Sequence, residues 1–234
     1  MSLNIFSIVI ILLILMMGVV GAKRGILKQL VLTVGTILVF VIAFFLKDSF
    51  ASFLSSILPF WNFRIPLGNL ISLNIIFYQL LAFLLIVILL RCILQIILNI
   101  TGFLNKIINA TIILALPNQL LGFVVGILEG IILMFVVLNI VSIPLSGSQL
   151  FMESKVRSYI VNDMPILKDT FGNMNVAITD ILSLNPSEEK NINDLKVIDI
   201  MLKDKIVSKD YILNLKEKGK LDTIENLDSV LNKY

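Results

Sequence analysis

The sequence contains no histidine and a single cysteine, Cys92. One cysteine cannot form a disulfide within the chain, and without histidine zinc and haem sites lose their usual ligands. Catalytic triads and dyads that need histidine are excluded for the same reason. Cys92 lies in an apolar run, so it is interpreted as an inert thiol facing core or lipid. We therefore expect no metal site, no cofactor and no catalytic residue.

Charged residues are scarce in the first two-thirds of the chain. Residues 1–144 hold seven Lys and Arg against two acids, Asp48 and Glu129, whereas residues 145–234 hold twelve basic and fourteen acidic residues. The whole chain is 58% hydrophobic, with a mean hydropathy of +0.99, which is far above that of a soluble domain. This contrast predicts a transmembrane domain over residues 1–144 and a hydrophilic helical tail over residues 145–234.

Four apolar runs are long enough to cross a bilayer as helices. They cover residues 5–22, 26–46, 75–100 and 120–143. Because so few apolar segments cannot close a β-barrel, the predicted fold is all-α, a polytopic membrane protein. Two connections, residues 49–63 and 101–117, also carry apolar residues at helical spacing. They are interpreted either as amphipathic helices at the membrane surface or as a continuation of the bundle's packing.

Basic residues follow the first span at Lys23, Arg24 and Lys28, and none precedes it. A cleavable signal peptide carries its positive charges before the apolar core, so the first span is predicted to be retained. Because lysine and arginine collect on the cytoplasmic side, the N-terminus is predicted to face outward. Four spans then place the C-terminal tail outside the cytoplasm as well.

The tail is predicted to form short amphipathic helices. Residues 193–206 place apolar side chains on one helical face, and Ser208 is predicted to cap the next helix, which ends near Gly219. A final helix is predicted to begin at Asp222 or Thr223. Such short helices favour a surface that docks on the bundle or on an unknown protein partner. The net negative charge of the tail argues against nucleic acid as that partner.

Glycines recur every four residues along the fourth span, at Gly122, Gly126 and Gly130. At about 100° per residue they share one helix face with Glu129. Gly-xxx-Gly spacing lets helix backbones approach closely in lipid, so this face is predicted to form a helix contact. The contact lies either within the chain or between copies, where it would build a homo-oligomer. Gly21 and Gly25 form a second patch of the same kind at the end of the first span.

Glu129 lies inside the fourth span and needs a partner, a proton or water, because a charge at the bilayer centre costs about 2.5–3.5 kcal/mol. The candidate partner is Arg91, since both residues lie about nine positions from the inner ends of their spans, roughly 13 Å deep. Arg91 also begins a polar stripe with Gln95 and Asn99. A weaker stripe on the second span consists of Gln29, Thr33 and Thr36.

Two interpretations of these polar residues compete. In the first, Arg91, Gln95 and Glu129 form a structural seam that fixes helix register. In the second, they line a path for an ion, a proton or a small solute. Intramembrane proteolysis would need paired acids, a Ser–His dyad or a metal, none of which is indicated, so no enzyme is expected.

Two motifs together resemble the colicin V production protein family, CvpA: the turn GAKRGILKQL at residues 21–30 and the segment PNQLLGFVVGILEG at residues 117–130. The resemblance covers about residues 4–143. The chain departs from the family pattern at Asn4, where members often carry an acid, and at Gln119, where an arginine is usual after Asn118.

The resemblance implies a multi-pass protein of the bacterial inner membrane, linked to colicin V production, hence to toxin production or export, and to envelope homeostasis. The leading hypothesis is a non-enzymatic oligomeric scaffold or assembly factor. The alternative is a small-solute or ion channel or transporter with a polar path near Arg91 and Glu129.

Overall fold

The structure is a computed structural model that describes residues 4–61, 69–100, 115–142, 145, 148–164 and 173–234. All regular secondary structure in these ranges is helical. The helices are α1 (Ile5–Arg24), α2 (Ile26–Ile57), α3 (Leu73–Ile100), α4 (Ala115–Ser142), α5 (Gln149–Met152), α6 (Lys155–Ser158), a π-helical turn (Tyr159–Asp163), α7 (Asn173–Leu182), α8 (Lys190–Lys203), α9 (Lys209–Glu217) and α10 (Leu227–Leu231).

Within the described ranges, α1 to α4 are the helices long and apolar enough to cross a membrane, with 18-residue windows of mean hydropathy between 2.5 and 3.0. Large apolar side chains stay exposed along all four, for example Leu12, Ile37, Ile88 and Val124. Exposed apolar surface of this extent is what a bilayer covers. The prediction of an all-α, multi-pass membrane protein is confirmed.

Helix α2 is much longer than the predicted span, because it continues past residue 46 to Ile57. In this added part, Ala51 and Leu54 are buried while Phe53 and Ile57 are exposed. The helical spacing of residues 49–57 therefore extends α2 instead of starting a separate surface helix. The amphipathic segment expected at residues 101–117 falls mostly outside the described residues, which resume in α4 at Ala115.

The chain divides into two compact units. The first unit comprises Met1–Ile42 and Val87–Thr170, and the second comprises Ala43–Ile86 and Phe171–Tyr234. The boundaries between the units lie inside α2 and α3 and after Thr170. Residues 171–234 of the predicted tail therefore belong to one unit with parts of α2 and α3.

In the first unit, α1 and α4 run antiparallel and in close contact. At one end, Asn4 Nδ2 donates a hydrogen bond to the Leu150 carbonyl oxygen at 2.7 Å. At the other end, the Ile26 N–H donates to Asn118 Oδ1 at 2.7 Å. Gly25 ends α1 with φ of +77°, a conformation that residues with a side chain rarely adopt. The α1–α2 turn is thus held by the start of α4.

In the second unit, hydrogen bonds join α8 and the residues next to α9 to the C-terminal part of α2 and to Ser72, just before α3. Asp194 of α8 accepts hydrogen bonds from the Ser72 N–H at 2.8 Å and the Ser72 hydroxyl at 2.6 Å. Asp48 of α2 accepts from the Ser208 N–H at 3.1 Å. Lys218 donates to the Ser52 carbonyl oxygen at 2.8 Å. These contacts make the tail from α7 onward a folded part of the second unit.

The boundaries of the tail helices follow local signals. Ser208 caps α9, because its side chain accepts from the Tyr211 N–H, and Gly219 follows the helix with φ of +68°. Both predictions are confirmed. The last helix starts at Leu227, later than predicted at residues 222–223, because Asn226 adopts a left-handed φ of +60° that an α-helix cannot contain.

Candidate functional site

Among the described residues of the first unit, the most deeply buried carboxylate belongs to Glu129 of α4, which is 1% exposed. Its Oε2 accepts a hydrogen bond from Gln29 Nε2 and a longer one, at 3.4 Å, from Thr33 Oγ1. Its Oε1 accepts from Thr36 Oγ1 at 2.8 Å. We refer to Glu129, Gln29, Thr33, Thr36 and Arg91 as the Glu129 cluster.

Helix α2 supplies all three direct donors to the carboxylate. Residues 29, 33 and 36 lie on one face of α2, because positions three and four apart are neighbours on a helix. Gln29 and Thr36 are fully buried and Thr33 nearly so. The weaker of the two predicted stripes therefore provides the hydrogen bonds. In the sequence, this stripe was indicated by one amide and two hydroxyl side chains that share a helix face within an apolar run.

Thr36 can serve Glu129 in either protonation state. Its Oγ1 lies 2.8 Å from Glu129 Oε1 and also 2.8 Å from the Leu32 carbonyl oxygen one turn earlier. A hydroxyl has one proton and two lone pairs, so it donates to one of these oxygens at a time. An ionised Glu129 accepts a hydrogen bond from Thr36 Oγ1, whereas a protonated Glu129 can donate one to Thr36 Oγ1 while Thr36 donates to the Leu32 carbonyl oxygen. The cluster stays hydrogen-bonded in both states.

Arg91 of α3 approaches the same carboxylate from the side. Its Nη2 lies 3.6 Å from Glu129 Oε1, and its side chain is 35% exposed whereas that of Glu129 is 2% exposed. The distance is that of an ion pair without a short hydrogen bond. The structure thus brings the two predicted partners together, with Arg91 at the edge of the cluster.

Gln95 lies apart from the cluster, although it shares a stripe with Arg91. It is exposed, and its Nε2 donates to Asn99 Oδ1 at 3.2 Å. Residues four apart on a helix differ by about 40° in direction. That rotation is enough to turn Arg91 towards Glu129 and to leave Gln95 and Asn99 on the exposed surface.

The polar contacts extend from the cluster to α1. Arg24, in the last turn of α1, donates from Nη1 to Gln29 Oε1 at 3.3 Å. Gln29 therefore links Arg24 of α1 to Glu129 of α4, and Arg91 adds α3. Each of the four membrane helices contributes a side chain to one connected set of hydrogen bonds and ion pairs.

The predicted glycine face of α4 contacts α1 of the same chain. A β-carbon on Gly126 would lie 3.1 Å from the Cα atoms of Gly18 and Gly21, and one on Gly130 would lie 3.0 Å from Met17 Cβ. One on Gly122 would lie 3.1 Å from the Cα of Gly25. The glycine positions of both spans thus form one contact within the chain.

The site lies in a segment that resembles known sequences. A sequence model of the family described as colicin V production protein matches residues 6–165. The match spans well over half of the chain, includes α1 to α4 with the whole Glu129 cluster, and ends before α7 begins. No curated protein and no solved structure matches the chain.

Proposed function

The chain belongs to the colicin V production protein family, and from this premise we propose that it is a non-enzymatic oligomeric scaffold or assembly factor. The proposed setting is the bacterial inner membrane, with both termini outside the cytoplasm. The proposed role is associated with toxin production or export and with envelope homeostasis. The membrane helices α1 to α4 provide the framework on which this proposal is built.

The observation that carries the proposal is the burial of a fully hydrogen-bonded carboxylate where four helices are linked. Glu129 is 1% exposed, and its oxygens accept from three side chains of α2. Helices in lipid gain no hydrophobic stabilisation from each other, so hydrogen bonds and close packing set their register. A charge held in this way favours a rigid bundle over an open conduit.

The folded tail supports the same proposal. Its helices are joined to α2 and α3 by hydrogen bonds at Asp48, Ser72 and Asp194, while several lysine and acidic side chains on its surface remain exposed, including Lys216 and Asp228. A rigid, hydrophilic domain attached to a membrane bundle offers a surface on which other proteins can assemble.

The scaffold proposal is tested by the mass of the full chain in lipid nanodiscs, measured by mass photometry across a range of lipid-to-protein ratios. A defined oligomer at low protein density is the expected result. A monomer at every ratio would overturn the oligomeric part. Orientation is tested by a phosphatase reporter fused after Tyr234, which should be active outside the cytoplasm; activity only of a cytoplasmic reporter would reverse the assignment.

A second candidate, a proton or ion path, is favoured by one observation. Arg91 is partly exposed and contacts the buried carboxylate, and Thr36 can accept or donate a hydrogen bond beside it. The flux of protons or ions is measured directly in proteoliposomes that contain a pH-sensitive dye, under pH, sodium and potassium gradients. We expect no flux above empty liposomes. A flux that Glu129→Gln abolishes would replace the scaffold with the path.

A further inference from the structure

A polar patch lies on the exposed surface of α3, within the first unit. At about 100° per residue, Ile88, Cys92, Gln95 and Asn99 fall within about 60° of one another around the helix. All four are exposed. We call these four residues the α3 face. The exposed residues around them are isoleucines and leucines, such as Leu89, Ile93, Ile96 and Ile97.

The hydrogen-bonding capacity of the α3 face is only half used. Gln95 Nε2 donates to Asn99 Oδ1 at 3.2 Å. Gln95 Oε1 and Asn99 Nδ2 then have no hydrogen bond among the residues that the structure describes. Amide groups that face lipid without a partner are unfavourable, because the hydrocarbon offers no donor or acceptor. At 1.5 Å per residue from Ile100, Gln95 lies about 7 Å inside the predicted span and Asn99 at its end, so the unused acceptor of Gln95 favours a polar partner at the same depth.

A second copy of the chain meets that requirement. Copies inserted with one orientation can pair about a two-fold axis along the membrane normal, which places identical residues opposite each other at equal depth. A side-chain amide has both donors and an acceptor, so Gln95 can bond to Gln95 and Asn99 to Asn99 of the other copy. A face of amides is thus complementary to itself, which a face of like charges would not be.

Other surfaces of the first unit fit a second copy less well. The glycine face of α4 is filled by α1 of the same chain, so its small residues are not free for another protomer. Between Ile5 and Val20, the exposed side chains of α1 are apolar, including Leu12, Met16 and Val19. Lipid chains solvate such side chains as well as another helix does.

We propose that the α3 face is the surface through which two copies of this chain associate in the membrane. The inference rests on the proposed oligomeric scaffold and names its contact. In this arrangement, Cys92 of one copy faces Cys92 of the other. Cys92 belongs to the same helix face and lies between Ile88 and Asn99 along the helix axis. The chain has no other cysteine, so its native thiol reports on the contact.

The test is oxidative cross-linking of the full chain in native membranes with copper phenanthroline. Dissolved oxygen takes up the two electrons and two protons as two thiols become one disulfide. We expect a covalent dimer that is absent from Cys92→Ser. Moving the single cysteine to Ile88, by Ile88→Cys in the Cys92→Ser background, should keep the dimer. Moving it to Ile93, about 100° away and 44% exposed, should lower its yield at least about five-fold.

A double variant, Gln95→Leu with Asn99→Leu, keeps Cys92 and removes the amides. Two lost interhelical hydrogen bonds predict a dimerisation constant about five- to ten-fold weaker. Equal cross-linking from positions 88, 92 and 93 would show random collision and overturn the α3 face. A stable oligomer in nanodiscs without cross-linking at positions 88 and 92 would reject this surface and leave the scaffold standing. A monomer throughout would reject both.

Discussion

Gly21 of α1 and Gly126 of α4 bring two helix backbones into direct contact. A β-carbon on Gly21 would lie 2.9 Å from Gly126 Cα, and a β-carbon on Gly126 would lie 3.1 Å from Gly21 Cα. Real β-carbons essentially never come within 3.0 Å of such atoms, and a distance of 3.1 Å is tighter than nine in ten of their contacts. The α1–α4 contact therefore has no room for even the smallest side chain at either position.

Gly126→Ala should destabilise the bundle by about 1–2 kcal/mol, because the clash with α1 outweighs the helix-propensity gain of alanine. Gly35→Ala is the matched control. A β-carbon there meets only the end of the Leu94 side chain, at 2.7 Å, and a flexible leucine can turn away. Unfolding in mixed micelles of mild detergent and SDS, followed by circular dichroism, measures both variants. Equal stability of the two would contradict the α1–α4 contact.

Thr36→Val should destabilise the protein by about 1 kcal/mol, because it removes the 2.8 Å hydrogen bond to Glu129 without changing side-chain volume much. Thr33→Val should change stability by no more than about 0.5 kcal/mol, since its hydroxyl lies 3.4 Å from the carboxylate. The same unfolding assay ranks the two variants. A larger loss at position 33 would mean that the carboxylate is oriented differently.

Asp194→Ala should loosen the tail, because it leaves the buried Ser72 N–H and hydroxyl without their acceptor, at a cost of about 1–3 kcal/mol. Asp228→Ala removes an exposed ion pair with Lys216 and should cost less than about 1 kcal/mol. Hydrogen exchange of peptides from α8 to α10, read by mass spectrometry, should rise in the first variant alone. Equal protection in both would place the tail's main attachment elsewhere.

Tyr211 should make the tail sensitive to alkaline pH. Burial raises the pKa of its phenol above the usual 10, and the nearby Asp48 carboxylate adds to the rise. A group whose folded pKa is raised stabilises the fold below its unfolded pKa, and that stabilisation is lost as pH rises towards the folded value. We therefore expect the hydrogen exchange of α9 to increase above about pH 10.

Tyr211→Phe separates this effect from general alkaline damage. The Tyr211 hydroxyl is buried and has no hydrogen-bond partner among the described residues, so its removal should stabilise the tail by about 1 kcal/mol at neutral pH. The variant should also lack the Tyr211-dependent loss above pH 10. Identical alkaline behaviour of both proteins would show that another group titrates.

The four spans were predictable because length and apolar composition alone decide whether a helix can cross a bilayer. Arg91 and Glu129 were also predictable as neighbours, because the rise per residue gives equal depths for both. The extension of α2 to Ile57 was not predictable, since the spacing of residues 49–57 also fits a surface helix and does not reveal that Ala51 and Leu54 are buried.

The second feature that the sequence did not predict is which helix each face contacts. A helical stripe identifies a face, but a face does not say which helix it meets, so the glycines of α4 could equally have met another copy. The threonines of α2 gave a weak signal, because a helical threonine can bond to its own backbone, as Thr36 does with Leu32. Gln95 lies four residues after Arg91 on the same helix. The two side chains nevertheless differ by about 40° in direction, so Arg91 turns towards Glu129 and Gln95 stays on the exposed surface.

Asn118 and the α1–α2 turn have a consequence for the order of biosynthesis. The Ile26 N–H bonds to an oxygen 92 residues later in the chain, and Gln29 bonds to a carboxylate 100 residues later. A ribosome adding 5–20 residues per second needs about 5–20 s to make that stretch. The first hairpin therefore waits in the translocon or the bilayer with Gln29, Thr33 and Thr36 lacking their Glu129 acceptor, and a ribosome stalled before α4 would leave a nascent chain exposed to membrane quality-control proteases.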